Sequence, residues 1–199
     1  TNPIRGIPTN KIVSGMRFPY LKFKELFKSD IGTYTDGFCI GMLYSSPLSF
    51  IVSNQSNGLN STFTWAMEDR HQVEQILSKW IHSIDNCIIR TSKHGGNTVY
   101  NVQSKTLTKY FKKFGLSSNK EVRDSKYGLP KACWTGSDEF RKGFINAVYS
   151  LTGYLLKSKA LGYIDNLSVR FSEELRVLLG CYGVPTIINK NKVGREIII

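Results

Sequence analysis

Apolar and polar residues follow helical and strand periods along this chain, and the two periods come in the same order twice. Gly37 to Ser49, GFCIGMLYSSPLS, is an apolar helical stretch with the small residues Gly41 and Ser45 one turn apart and a stop at Ser46-Pro47. Two runs rich in β-branched and aromatic residues, LSFIVSN and STFTWAM, flank the turn-forming QSNGLN and predict a hairpin. Within Glu68 to Ile84, Val73, Ile76, Leu77, Trp80, Ile81 and Ile84 recur at helical spacing. The segment CIIRTSKHGGNTVYNVQS predicts a second hairpin tipped by Gly95-Gly96, and Thr106 to Phe114 a short basic helix closed by Gly115.

The order then repeats. Glu139 to Leu155, EFRKGFINAVYSLTGYL, is an apolar helix with Gly143, Ala147 and Leu151 on one face and a stop at Thr152-Gly153. YLLKSKA and LSVRFS around Leu161-Gly162 predict a strand pair. A helix over Ser172 to Tyr182 is expected next, with Ser172 as N-cap, acids Glu173 and Glu174 in the first turn and Gly183 as C-cap. TIINK and REIII around Lys192-Val193-Gly194 complete the chain. The expected class is α+β, a duplicated αββαββ(α) unit with one more helix in the first half.

Composition shifts mark the boundaries. Residues 1–34 are Pro- and Gly-punctuated, with a basic helical stretch at Tyr20 to Phe27, and read as an N-terminal extension. Residues 35–116 form the first half, 117–137 a polar linker containing Gly128, Pro130 and Gly136, and 138–199 the second half.

Charge narrows the partner. The 199 residues carry 27 Lys and Arg against 15 Asp and Glu, a net charge of +12, which favours a polyanion over an acidic or small neutral ligand. Hydrophobic residues make up 41%, enough for a core, yet no apolar run approaches the roughly 20 residues of a membrane span. The four cysteines, Cys39, Cys87, Cys133 and Cys181, lack C-x-x-C spacing, so buried thiols are expected rather than zinc ligands, and a reducing intracellular compartment, cytoplasm, nucleoid or nucleus, fits them. No signal peptide opens the sequence.

Basic and amide residues interleave with apolar ones in the hairpins. Arg90, Lys93, His94 and Asn97 lie in one; Lys157, Lys159 and Arg170 in another; Lys190, Lys192 and Arg195 in the last. A solvated sheet face accounts for scattered charges in an ordinary protein. Here the hairpins of the second half hold only Asp165 and Glu196 as acids, and Asn residues, which suit adenine edges, accompany Arg and Lys, so nucleic-acid contact is the stronger reading.

Both apolar helices resemble the signature helix of the LAGLIDADG (DOD-type) homing endonucleases, as it occurs in the endonuclease domains of inteins. Cys39-Ile40-Gly41-Met42-Leu43-Tyr44-Ser45-Ser46-Pro47 lies on the nine-letter motif, as does Ile145-Asn146-Ala147-Val148-Tyr149-Ser150-Leu151-Thr152-Gly153. Gly128-Leu129-Pro130 and SEELRVLLGCYGVPTIINK are similar to the family's layout as well. The resemblance implies a pseudo-symmetric monomer whose Gly41, Ser45, Gly143 and Ala147 form a helix interface and whose two antiparallel sheets make a saddle for duplex DNA. It also implies a fused or formerly fused protein-splicing domain as a partner.

In the family the penultimate motif letter is a metal-binding aspartate, and these positions hold Ser46 and Thr152. Neutral hydroxyls do not replace the carboxylate charge that Mg²⁺ requires, so no catalytic residue is intact and no metal cofactor is expected; Mg²⁺ belongs only to the alternative of an active enzyme. Asp36, Asp138 and Glu139 sit at the opposite helix ends, about 15 to 20 Å away by helical rise. His71, His82 and His94 are dispersed, and no phosphate-binding loop or splicing nucleophile is present. The resulting expectation is a DNA-binding, cleavage-inactive domain. An active endonuclease with displaced acids and an RNA-binding, maturase-like splicing helper stand as alternatives.

Overall fold

In the computed structural model, residues 29–45, 51–54, 61–67, 71–94, 97–115, 128–156, 161–190 and 195–199 are described. Helix α1 spans Tyr34–Ser45, strands β1 Ile51–Asn54 and β2 Ser61–Met67, helix α2 His71–Ile84, strands β3 Ile89–His94 and β4 Asn97–Gln103, and helix α3 Lys105–Lys113. A short helix α4, Ala132–Thr135, leads to α5, Asp138–Thr152, then β5 Gly153–Leu156, β6 Leu161–Leu167, α6 Val169–Cys181, β7 Ile187–Lys190 and β8 Arg195–Ile198. Each half holds a four-stranded antiparallel sheet, and the strand orders, β1-β2-β4-β3 and β5-β6-β8-β7, are the same. The duplicated order read from the sequence is therefore the order of the fold.

Local chemistry starts each helix. Thr33 and Asp36 cap α1 reciprocally: the Thr33 amide donates to the Asp36 carboxylate at 2.8 Å, and the Asp36 amide donates to the Thr33 hydroxyl at 3.2 Å. Ser104, Ser137 and Ser168 accept from the third amide onward in α3, α5 and α6. Gly115, with φ of 80°, closes α3 in a left-handed conformation that a side chain disfavours.

The expected N-cap at Ser172 is corrected to Ser168. Ser172 is fully buried inside α6 and donates to the carbonyls of Ser168 and Val169, so its hydroxyl is satisfied within the helix rather than at its start. The expected strand LSVRFS is corrected with it. Only Leu167 is in β6, and Val169 onward is helical, because Ser168 breaks the strand with its own cap. The basic stretch at Tyr20 to Phe27 lies outside the described residues.

The two signature helices cross at the centre of one core. A Cβ on Gly37 would stand 1.9 Å from the Phe140 carbonyl, and one on Gly143 would stand 2.1 Å from the Tyr34 carbonyl. Laying Cys39 on Ile145 also lays Gly37 on Gly143 and Tyr34 on Phe140, so each contact is the reciprocal of the other. Gly41 faces Ala147, its own counterpart, at 2.8 Å from a would-be Cβ. Aromatic rings carry the core across: Trp80, Tyr110 and Phe114 of the first half reach Phe140 and Phe144 of α5, and these reach Phe171 of α6.

Residues 128–137, read from composition as the end of a linker, are packed. Leu129, Ala132 and Cys133 are buried, the Leu129 amide donates to Glu174 at 2.7 Å, and the buried Arg141 guanidinium donates to the carbonyls of Cys133 and Gly136. Residues 29–33 join the same region, since the Ser137 amide and hydroxyl donate to the carbonyls of Ile31 and Gly32.

Candidate nucleic-acid interface

Strand alternation gives the first sheet two unlike sides. On β4, Tyr100 and Val102 are buried under the helices, and Asn101 and Gln103 belong to the other set, with Gln103 exposed. Arg90 on β3 is the register partner of Asn101 and is exposed. Along β2, Thr64 pairs with Asn101 and Thr62 with Gln103. None of the four strands contains Asp or Glu. A side presenting Arg90, Asn101 and Gln103 on strands without acids suits phosphate and base-edge contacts.

At the ends of the signature helices, Thr152 donates its hydroxyl to the Val148 carbonyl at 2.7 Å and is half-buried. Gly153 leaves α5 directly into β5 with an extended backbone. Ser46 and Pro47 lie outside the described residues, as does the side chain of Ser45. No group of three or more His, Cys, Asp or Glu able to hold a metal is found among the described residues.

Asp36 is buried at the other end of α1, where it accepts from Thr33, from the Trp80 indole at 2.8 Å and from the Tyr110 hydroxyl at 2.8 Å. Burial alone would raise its carboxyl, but the donors from Thr33, Trp80 and Tyr110 together outweigh it and hold it below the ordinary carboxylate value. Tyr110 is shifted upward, by burial first and by the Asp36 carboxylate second. Asp138 accepts from the Tyr182 hydroxyl at 2.8 Å and pairs with Lys142 at 3.0 Å. Both acids serve the helix starts.

No family model matches the sequence, and comparison with curated proteins finds no match. Solved structures do match. The homing endonuclease I-DmoI in complex with DNA and Mn is similar over 83% of this chain and 88% of that one, with a TM-score of 0.57 and 16% identity. The fold is that of the LAGLIDADG homing endonucleases. I-DmoI with DNA and Ca matches over 83% of this chain and 81% of that one at a TM-score of 0.55 and 15% identity. A variant of I-DmoI with its target DNA and Mg matches over 83% and 87% at 0.55 and 16%. At such identities the likeness is one of fold.

The LAGLIDADG arrangement brings some predicted residues together and separates others. Gly41 lies against Ala147 and Phe144, and Gly143 against Tyr34 and Phe38, where the two helices pack. Arg90 stands on the open side of the first sheet, whereas Lys93 shares the alternation of Ile89, which packs on the core; both are exposed. His94 and Asn97 are register partners next to the hairpin tip. Lys190 pairs with Arg195 across β7 and β8, and Lys157, Lys159 and Lys192 lie outside the described residues.

Arg170 was expected in a strand and is corrected to the first turn of α6, where its guanidinium meets Glu174 at 2.7 Å. The four cysteines are free, with Cys39 and Cys133 fully buried; burial, then the Asp36 charge, pushes the Cys39 thiol up to about 12. Sequence reasoning missed Gln103 and the Asp36, Trp80 and Tyr110 cluster. Alternation from buried Val102 would have found the first, but the second joins residues far apart in the chain and has no local signature. No described helix is long and apolar enough to cross a membrane.

Proposed function

We propose that this chain is a pseudo-symmetric, intein-type LAGLIDADG domain that binds duplex DNA as a monomer and does not cut it. The observation that carries the binding half is the acid-free side of the first sheet, with Arg90 beside Asn101 and Gln103 next to it, on a fold whose I-DmoI neighbours are complexes with DNA. The reciprocal contacts of Gly37 and Gly143 support the pseudo-two-fold relation.

Loss of cleavage is supported by the donor set at the signature-helix ends. A serine and a threonine stand at the family's metal positions, and the Thr152 hydroxyl proton is committed to the Val148 carbonyl. Neutral oxygens of this kind do not fit a hard divalent ion, which needs carboxylate charge to compete with its hydration shell. The acids Asp36 and Asp138 are committed to the helix starts.

Electrophoretic mobility shift of genomic fragments at two salt concentrations, with and without Mg²⁺, tests both halves. Retarded complexes at low salt that weaken at high salt, with intact DNA recovered in Mg²⁺, are the expected result. Chelator-sensitive, site-specific double-strand cleavage by the unmodified chain would overturn the inactive assignment.

A further inference from the structure

We infer that the lysine face of α3 is a second binding surface, for the backbone of duplex DNA, so that one copy of the protein holds two duplex segments; this rests on the DNA-binding function proposed above. The sequence of α3, KTLTKYFKK, carries four lysines and no acid. At about 100° per residue, Lys105, Lys109, Lys112 and Lys113 fall within an arc of about 100°, on the side opposite the buried Leu107, Phe111 and Phe114. All four lysines are exposed.

Helix stability does not account for this face. Lys112 and Lys113 lie in the last turn, where cations complement the helix dipole, but Lys105 lies in the first, where an acid is preferred and a cation is unfavourable. Lys105 with Lys109, and Lys109 with Lys113, are like charges four residues apart, which oppose helix formation. In α5, by contrast, Lys142 meets Asp138 and Glu139, and in α6 Arg170 meets Glu174. Among the described residues no acid forms an ion pair with any of the four lysines of α3.

The stripe lies apart from the sheets. Tyr110 reaches Asp36 at the start of α1 and Phe114 stacks on Phe140 at the start of α5, so α3 sits at the N-terminal ends of both signature helices. Thr152, where α5 enters β5 of the second sheet, stands about 18 Å from Phe140 by helical rise. A duplex on the open side of the sheets therefore does not cover these lysines.

The chemistry of the face selects its partner. Lysine meets phosphate as a point charge, and phosphate contacts carry no base information. From Lys105 to Lys113 the stripe runs about 12 Å, which spans roughly three to four phosphates of one strand at a rise of about 3.4 Å. None of the exposed large apolar residues found among the described residues is on α3, so the face has no wedge for lipid. The hydroxyl of Tyr110 is held by Asp36 and its ring lies against Trp80 and Phe114, which leaves no platform for stacking single-stranded bases. Duplex already on the sheets raises the local concentration of further duplex, because a long molecule loops back to α3.

The test loads the full chain on an immobilised DNA duplex at low salt, washes, and adds a second, fluorescent DNA duplex. Protein-dependent capture of the second duplex is expected, with a log-log salt slope near −3.6 from four phosphate contacts at about −0.9 each. Changing Lys105, Lys109, Lys112 and Lys113 together to Gln should keep the protein on the immobilised duplex and lower capture about ten-fold or more, whereas changing all four to Arg should retain it. Lys105→Gln with Lys109→Gln, which relieves the unfavourable charge at the start of α3 and so should fold normally, should halve the slope. No capture by the unmodified protein, unchanged capture in the fourfold Gln variant, an unchanged slope in the double variant, or capture that requires two protein copies in sedimentation overturns this inference alone. Preferential capture of duplex RNA overturns it in favour of an RNA partner. Failure to retain the protein on the immobilised duplex overturns the DNA-binding proposal with it.

Discussion

Asp36 illustrates how a residue's chemistry depends on what the fold brings to it. Its carboxylate joins the α1 start to Trp80 of α2 and Tyr110 of α3, and hydrogen bonds to a charged acceptor contribute about 1.5 to 3 kcal/mol. Asp36→Asn should lower unfolding stability by about 2 kcal/mol in urea titrations, because the amide cannot accept from all the donors converging there. The folded carboxyl lies below its ordinary value, so the stability it adds is present at neutral pH and is lost as pH falls through the folded value, below about pH 4. The acid limb of the stability profile should flatten in the variant. A second outcome at this scale concerns the motif ends: Ser46→Asp with Thr152→Asp and Pro47→Gly should bind Mn²⁺ in calorimetry, where the unmodified chain does not.

At the scale of elements, the crossing of α1 and α5 is the most demanding piece of packing. Gly37→Ala places a methyl 1.9 Å from the Phe140 carbonyl, a backbone atom that cannot rotate away, so the helices must separate. Thermal and chemical denaturation should show a loss of about 3 kcal/mol or more, at the upper end for overpacked cores. Gly180→Ala in α6 is the control. Nothing lies within 4 Å of a Cβ there, and Gly180 is helical in the last turn of α6, so its replacement should stabilise the protein by about 0.4 to 1 kcal/mol, chiefly by narrowing the unfolded ensemble.

The whole molecule presents a net charge of +12 and two four-stranded sheets of identical strand order. If about six cations meet phosphates, log affinity should fall with log salt at a slope near −5, and Arg90→Ala should reduce the slope by about one without changing the helix core. A slope near zero, measured by fluorescence anisotropy on a labelled duplex, would assign the charge to solubility.

Much of this was fixed by short-range physics and was therefore legible in the sequence. The α-β-β-α-β-β order and the glycine that closes α3 follow from periodicity and caps, which act over a few residues. Serines compete for the same capping role, so the start of α6 fell to Ser168 rather than Ser172 and took Arg170 out of its expected strand. Tertiary structure alone decided what depends on residues distant in the chain. Segment 128–137 packs because Arg141 and Glu174 reach back to it, and Asp36 becomes a buried acceptor because Trp80 and Tyr110 arrive from other helices. The exposed place of Ile187 opposite Ile198 likewise exists only once pairing sets the register of β7 against β8, since a shift of one residue would send Ile187 to the other face.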